Sequence, residues 1–133
     1  MLNFNSILIF SENPKKLADF YQKVFGKELD MEGDGYYGLS VGKGFITIGP
    51  HGKVKGISKN PERIMLNFET EDVEKEFERI KRLGAKVIAK PYSMGNKDTD
   101  EMMIATFADL DGNYFQLVTP WDETDENYME QLN

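Results

Sequence analysis

The clearest pattern in the chain lies near its end, in Thr106-Phe107-Ala108-Asp109-Leu110-Asp111-Gly112-Asn113-Tyr114-Phe115-Gln116-Leu117-Val118. This stretch is predicted to form a strand, a tight Asp-Gly-Asn turn and a second strand, because the turn residues tolerate the positive φ angles of a short hairpin. Successive side chains of a strand point to opposite faces, so Gln116 faces away from Phe115 and Leu117. We therefore expect the rest of the chain to build a cleft that Gln116 faces.

The composition predicts a soluble globular domain. The chain has 133 residues, of which 40% are hydrophobic and 29% are charged, and it contains no cysteine. This length can bury one core, and the missing cysteines exclude disulfides and thiolate sites. No apolar run approaches the roughly 20 residues of a membrane span, and the first residues do not resemble a signal peptide. The expected compartment is the cytoplasm, with no membrane partner.

The charge of the chain limits its partners. The formal net charge is −7, which argues against nucleic acid, because nucleic-acid binding depends on Lys and Arg side chains that neutralise phosphates. Acidity is compatible with a cationic ligand, although it more often serves only solubility.

The chain contains an internal repeat of a strand, a helix, a strand and a hairpin. The first copy is predicted to have strands at 4–10, within 28–34, at 36–41 and at 45–49, with a helix at 14–25 capped by Asn13. The second copy is predicted to have strands at 63–69, 86–89, 102–107 and 114–118, a helix from the cap Thr70 to Gly84, and a loop at 91–100. We therefore predict an α+β fold with one domain at 1–121 and an acidic tail at 122–133. Within that domain, module one covers about 1–50, the linker 51–62 and module two about 63–121.

The repeat allows the two modules to be aligned. Matching the helix starts and the hairpin turns pairs Glu12 with Asp72, Asn5 with Met65, Gly44 with Asn113, and Thr47 with Gln116.

The alternation of side chains along the strands predicts two kinds of face. The faces expected under the helices are apolar or nearly so: Ser6/Leu8/Phe10, Ile46/Ile48, Ile64/Leu66/Phe68 and Phe115/Leu117. The opposite faces mix neutral hydrogen-bonding groups with apolar and aromatic ones, as ligand clefts do. The candidate ligand-binding residues are Asn5, Tyr36, Phe45, Thr47, Met65, Asn67, Glu69, Tyr114 and Gln116. A second packed layer or a subunit interface is the alternative interpretation.

Three segments follow a known family pattern in the correct order. They are Ile7-Leu8-Ile9-Phe10-Ser11 with Leu17-Ala18-Asp19-Phe20-Tyr21-Gln22-Lys23-Val24-Phe25-Gly26, then Phe68-Glu69-Thr70-Glu71-Asp72-Val73 with Leu83-Gly84-Ala85-Lys86-Val87, and finally Asp109-Leu110-Asp111-Gly112-Asn113-Tyr114-Phe115-Gln116-Leu117. Over about residues 3–120 the chain resembles the vicinal oxygen chelate superfamily of glyoxalase I, bleomycin-resistance proteins and extradiol dioxygenases. The resemblance implies two βαβββ modules that form a curved, mostly antiparallel sheet around a cleft.

The resemblance also implies where a metal would be held. Metal-dependent members carry a His or similar ligand at the start of each module's first strand and a carboxylate on its last strand. The matching positions here are Asn5, Thr47, Met65 and Gln116. Because none is a His, Glu or Asp, no metal and no other cofactor is predicted.

Two further side chains are candidates for chemistry. Glu69 is a weak catalytic candidate, since a carboxylate among apolar groups has a raised pKa and can act as a general base. It also lies at a strand end, where solvation is the simpler expectation. His51 is the single histidine and stands in a loop between Pro50 and Gly52, so no role is assigned to it.

The resemblance and the residues together favour a metal-independent small-molecule binding protein that sequesters an antibiotic or metabolite. We expect a homodimer whose ligand is cationic or aromatic. The alternatives are a glyoxalase-like lyase, isomerase or dioxygenase with a non-standard site, and a module that binds a partner protein. The sequence leaves open which ligand binds, whether a reaction occurs, and whether the modules pair within one chain or across a dimer.

Overall fold

The computed structural model describes residues 1–93 and 102–120. The first module contains β1 (Ser6–Phe10), α1 (Pro14–Phe25), β2 (Met31–Gly33), β3 (Tyr36–Val41) and β4 (Gly44–Gly49). The second contains β5 (Leu66–Glu69), α2 (Val73–Arg82), β6 (Lys86–Ser93), β7 (Met103–Ala108) and β8 (Tyr114–Val118). The predicted α+β fold with two βαβββ modules is confirmed. The tail predicted at 122–133 and residues 94–100 of the predicted loop lie outside the described residues.

Each module forms a four-stranded mixed sheet with the same order. The first sheet is β1-β4-β3-β2 and the second is β5-β8-β7-β6. In each sheet the first strand pairs in parallel with the last strand of its module, and the other pairs are antiparallel. Within the described part of the chain no strand pair joins the two sheets, so β1 and β5 are both edge strands.

Helix α1 follows from its sequence. Pro14 occupies the first turn, where its missing N–H costs nothing. Leu17, Tyr21 and Val24 recur at helical spacing and are buried. Gly26 ends the helix in the left-handed conformation, with φ of 65°, which glycine adopts without strain.

Helix α2 begins two residues later than predicted. The N-cap is Asp72, whose side chain accepts a hydrogen bond from the backbone N of Lys75 at 3.0 Å. The predicted cap Thr70 is therefore wrong, and its hydroxyl instead accepts from the backbone N of Asp72 at 3.2 Å. Both side chains can cap, which is why the sequence pattern did not separate them.

Strand β1 presents the opposite face to the one predicted. Ile7 and Ile9 pack against the core, and they pair with the buried Ile46 and Ile48 of β4. Leu8 points the other way and is 48% exposed. The assignment of Ser6, Leu8 and Phe10 to the face under the helices was therefore wrong. Both faces of this short strand carry apolar groups, so alternation alone could not fix its orientation.

The other predicted core faces are largely confirmed. Ile46, Ile48, Phe115 and Leu117 are buried, and Leu66 and Phe68 pack against the same core. The exception is Ile64, which precedes β5 and is 71% exposed.

Strand β6 runs further than predicted. It continues through Pro91 to Ser93, so the loop predicted from residue 91 starts too early. Proline is tolerated there because β6 is an edge strand and its pairing with β7 is irregular between Ala89 and Tyr92.

Helix α1 joins the two modules into one core. The Phe25 ring meets Phe68 of β5 edge-on, with centroids 4.9 Å apart. The Tyr21 ring lies 5.8 Å from that of Phe115 in β8. Arg79 of α2 donates to the carbonyl oxygens of Lys23 and Val24 at the end of α1. The first module's helix therefore contacts the second module as well as its own sheet.

The linker between the modules is fastened at two places. The backbone N of Gly56 donates to Glu12 Oε1 at 3.1 Å, and the backbone N of Ser58 donates to the carbonyl of Asp111 at 2.8 Å.

None of the helices in residues 1–93 and 102–120 has the length and apolar character needed to cross a membrane.

Candidate functional site

The first sheet has an outer face, opposite the helices, that carries no charge. Residues paired across a sheet share a face, so the registers of β1 to β4 define its members. They are Ser6, Leu8, Phe10, Met31, Gly33, Tyr36, Gly38, Ser40, Phe45, Thr47 and Gly49. A solvent-washed strand face usually carries Lys and Glu, so this composition indicates contact with a ligand or a partner.

Two aromatic rings lie flat on glycines of this face. A Cβ placed on Gly38 would come within 2.7 Å of Phe45 Cζ, and a Cβ on Gly49 would overlap the ring of Tyr36. The missing side chains thus make room for the rings and hold Phe45 and Tyr36 against the sheet.

The outer face of the second sheet carries a row of polar side chains across β5, β8 and β7. Asn67 of β5 pairs with Gln116 of β8, which pairs with Thr106 of β7. The side-chain amide of Gln116 donates to Thr106 Oγ1 at 3.0 Å. Gln116 does face away from the core, as predicted, but its amide nitrogen is engaged with the neighbouring strand.

The structure shifts the alignment of the two modules by one residue. The helix caps are Asn13 and Asp72. Leu8 and Asn67 are separated by the same number of residues. They occupy equivalent positions, because Leu8 pairs with Thr47 and Asn67 pairs with Gln116. The predicted pairing of Asn5 with Met65 is therefore one residue out, and Ser6 is the counterpart of Met65. The error comes from matching Glu12, instead of Asn13, with Asp72.

A cavity of about 350 Å³ lies where the beginnings of β1, β4 and β5 meet. Its described lining residues are Phe4, Asn5, Ser6, Ile7, Val41, Gly44, Phe45, Ile46, Met65, Leu66, Asn67 and Phe68. Four of the predicted ligand-binding residues, Asn5, Phe45, Met65 and Asn67, are brought together here. Among the described lining residues, the other predicted ones do not appear: Tyr36, Thr47, Glu69, Tyr114 and Gln116.

The cavity is apolar with a small polar edge. Its polar side chains are those of Asn5, Ser6 and Asn67, and none of its described lining residues is charged. The Ser6 hydroxyl donates to Asn5 Oδ1 at 2.7 Å. Sequence reasoning missed Ser6, because the displaced alignment put Asn5 in its place, and it missed Phe4 and Val41, which carry no polar signal.

The family model of the glyoxalase/bleomycin resistance protein/dioxygenase superfamily matches residues 3–117. The chain belongs to this superfamily. A search of curated proteins finds no match to the chain. The superfamily fold that the resemblance implied is therefore established by the family match and by the two modules.

Several solved structures have a fold similar to that of this chain. A glyoxalase/bleomycin resistance protein/dioxygenase family enzyme from Burkholderia phytofirmans PsJN has a TM-score of 0.71 at 22% identity, over 89% of this chain and 98% of that chain. TioX from Micromonospora sp. ML1 has a TM-score of 0.67 at 16% identity, over 89% and 98%. A lactoylglutathione lyase from Agrobacterium tumefaciens has a TM-score of 0.67 at 16% identity, over 88% and 92%. At these identities the likeness concerns the fold alone.

The superfamily's metal site does not fit the residues present. With the corrected alignment, the four positions are Ser6, Thr47, Met65 and Gln116. Ser6, Thr47 and Gln116 lie on the outer faces of the sheets, and Met65 directly precedes β5. Two hydroxyls, a thioether and an amide bring no negative charge to offset the dehydration of a dication. Within residues 1–93 and 102–120, no three His, Cys, Asp or Glu side chains form a group that could hold a metal ion.

The two other candidates for chemistry lie apart from the cavity. Glu69 is exposed at the end of β5, next to Val118 of β8. The Nδ1 atom of His51 accepts from the backbone N of Lys53 at 3.1 Å, and its ring meets Phe10 edge-on at 4.9 Å. Neither side chain is held beside the residues that line the cavity.

Among residues 1–93 and 102–120, the most buried carboxylate belongs to the β7–β8 turn. Asp109 is 6% exposed, and burial raises its pKa although hydrogen bonds from Tyr21 and Asn113 act to lower it. Burial, and then the charge of Asp109, raise the pKa of the Tyr21 hydroxyl well above its usual value. These perturbed groups lie in the core, so we assign them to the fold.

Proposed function

We propose that this superfamily member is a metal-independent small-molecule binding protein that sequesters an antibiotic or metabolite. One observation carries the proposal: the cavity at the beginnings of β1, β4 and β5 is lined by apolar groups and neutral hydrogen-bonding groups. This is the composition of a binding pocket. A catalytic site would need a titratable side chain or an activated nucleophile at the reacting atoms. The described lining residues include no carboxylate, imidazole, amine or thiol, and the Ser6 hydroxyl donates to an amide oxygen, Asn5 Oδ1, instead of to a base.

The test combines metal analysis with ligand binding. Purified protein should contain no stoichiometric Ni, Zn, Mn or Fe, and its melting temperature should rise with a small-molecule ligand. Phe45→Ala, which removes a cavity wall, should abolish that rise, whereas Tyr92→Ala on the exposed part of β6 should keep it. Stoichiometric metal together with turnover of a hemithioacetal or a catechol would overturn the proposal in favour of a glyoxalase-like enzyme.

We also propose a homodimer formed through the outer face of the first sheet. Leu8 and Met31 are 48% and 45% exposed on this face, which carries no charged side chain. Two copies with a net charge of −7 each repel one another across their charged surfaces, so an uncharged face suits contact between copies.

Light scattering after gel filtration tests the dimer. Leu8→Lys and Met31→Lys should shift the protein to a monomer, because each places a charge in the interface. Ile88→Lys, on β6 of the second sheet, should leave the mass unchanged. A monomeric unmodified protein, or a dimer that survives both substitutions, would reject this interface.

A further inference from the structure

We infer that the cavity binds an uncharged ligand, made of one or two rings with a neutral hydrogen-bonding group at one edge. This inference rests on the proposed binding function and gives that function a chemical class. The cavity volume of about 350 Å³ lies at the lower end of the range for small-molecule sites.

The first support is the cost of burying a charge. A charged group that leaves water needs an opposite charge or several strong hydrogen bonds in return. Charged residues make up 29% of the chain, yet none is found among the described residues that line the cavity. A charged group of the ligand that enters the inner part of the cavity, beside the buried Ile46, would therefore lose its hydration without an ionic partner.

The surrounding charges do not replace such a partner. Lys43 and Glu69 are the charged residues that adjoin the lining in sequence, next to Gly44 and Phe68, but both side chains are exposed and neither lines the cavity. The net charge of −7 acts through solvent, where salt screens it over about 8 Å. Overall acidity is therefore a weak reason to expect a cation in this cavity.

The second support is the polar edge. Asn5 Oδ1 already accepts from the Ser6 hydroxyl, and within the described part of the chain no acceptor is paired with its amide nitrogen. The side chain of Asn67 also faces the cavity, and its amide can both donate and accept. A carbonyl, hydroxyl or amide on the ligand matches these groups without carrying charge.

The third support is the apolar wall. Phe45 is fixed against Gly38, and Ile46, Leu66 and Phe68 complete the wall beside it. A rigid wall of this kind binds ring systems at little entropic cost.

The test uses matched triplets of small molecules that share one ring and differ only in charge: an amide, a carboxylate and an amine. Indole-3-acetamide, indole-3-acetate and tryptamine form one such triplet, and phenyl and naphthyl triplets extend the series. Binding is measured by calorimetry at low and high salt. The amides should bind at least about tenfold more tightly than either charged member, because the charged members lose hydration without compensation. Their affinity should be independent of salt.

The outcomes separate this inference from the proposed function. A carboxylate or amine that binds as tightly as the amide of its triplet would overturn the inference that the ligand is uncharged. The proposed binding function would then still be supported. If no member of any triplet binds, both proposals fall. An anion whose affinity drops in Lys43→Gln would show that Lys43 serves the site, and that result would also overturn the inference.

A change in the cavity itself supplies a second test. Asn67→Asp adds a carboxylate to the lining at nearly constant volume. The amine of each triplet should then gain at least about tenfold in affinity while the amide loses affinity. Asn60→Asp adds the same charge in the linker and is the matched control. If Asn67→Asp folds, as judged by its melting curve, and leaves the order of affinities unchanged, the ligand does not contact this edge and the inference fails.

Discussion

The hydroxyl of Tyr21 donates to Asp109 Oδ2 at 2.6 Å, and this bond joins helix α1 of the first module to the β7–β8 turn of the second. Asp109 Oδ1 also accepts from the backbone N of Asp111 and of Asn113. One carboxylate therefore shapes the turn and ties it to the other module. The turn that identifies the fold in the sequence is also an anchor between the modules.

Removing the Tyr21 hydroxyl should destabilise the protein. In Tyr21→Phe the buried carboxylate loses a donor, and we expect the free energy of unfolding to fall by about 1 to 3 kcal/mol. Urea denaturation measures the change. Tyr36→Phe, on the outer face of the first sheet, is the control and should change stability by much less. Equal stability of the two variants would show that the bond to Asp109 contributes nothing.

The burial of Asp109 predicts a pH dependence. Its pKa in the folded protein is raised above the ordinary 3.8, so the folded state holds this proton more tightly than the unfolded state. The resulting stability is complete below 3.8 and is lost as pH rises through the folded pKa. The stability advantage of the native protein over Asp109→Asn should therefore shrink as the pH increases above 3.8. Paired urea titrations across this window check the sign, and an advantage that grows with pH would contradict it.

The contact between Gly38 and Phe45 predicts a specific glycine effect. In Gly38→Ala the new Cβ meets Phe45 Cζ, so we expect a loss of about 1 to 3 kcal/mol and weaker binding in the cavity that Phe45 lines. Gly33→Ala is the matched control, because no atom lies within 4 Å of a Cβ at that position. Calorimetry and urea denaturation on both variants make the comparison. Similar losses of stability and affinity in the two variants would show that the Phe45 ring moves aside without a measurable cost.

The two helix caps predict unequal effects of one substitution. The Asp72 side chain caps α2, whereas Asn13 makes no side-chain capping bond to α1. Asp72→Ala should therefore cost about 1 kcal/mol, and Asn13→Ala should cost clearly less. Thermal unfolding of both variants measures the difference. A larger loss for Asn13→Ala would reverse this assignment of the caps.

Much of the fold could be predicted from the sequence because its signals are local. The Asp111-Gly112-Asn113 turn requires particular backbone angles, and Gly26 ends a helix for the same kind of reason. The orientation of β1 could not be predicted, because Ile7 and Leu8 are equally suited to a core. Only the pairing with β4 decides which of them faces the helices, and that pairing is a tertiary contact.

The candidate site could be predicted only in part. Asn67 and Phe45 can be predicted because polar and aromatic groups stand out on a strand face. Ser6 was missed because the alignment matched Glu12, instead of Asn13, with Asp72, which put Asn5 opposite Met65. The cavity itself depends on how the beginnings of three strands converge. This convergence is a tertiary arrangement that no local sequence pattern predicts.

The lack of strand pairing between the sheets has a consequence for how the chain assembles. Each half owns a complete sheet and a helix, and α1 buries its aromatic side chains partly in the other half. A chain cleaved in the linker at residues 51–62 should therefore give two fragments that reassociate in solution. Such complementation would be governed by a single helix of the N-terminal fragment, which makes the two halves a natural pair for a split reporter of ligand occupancy.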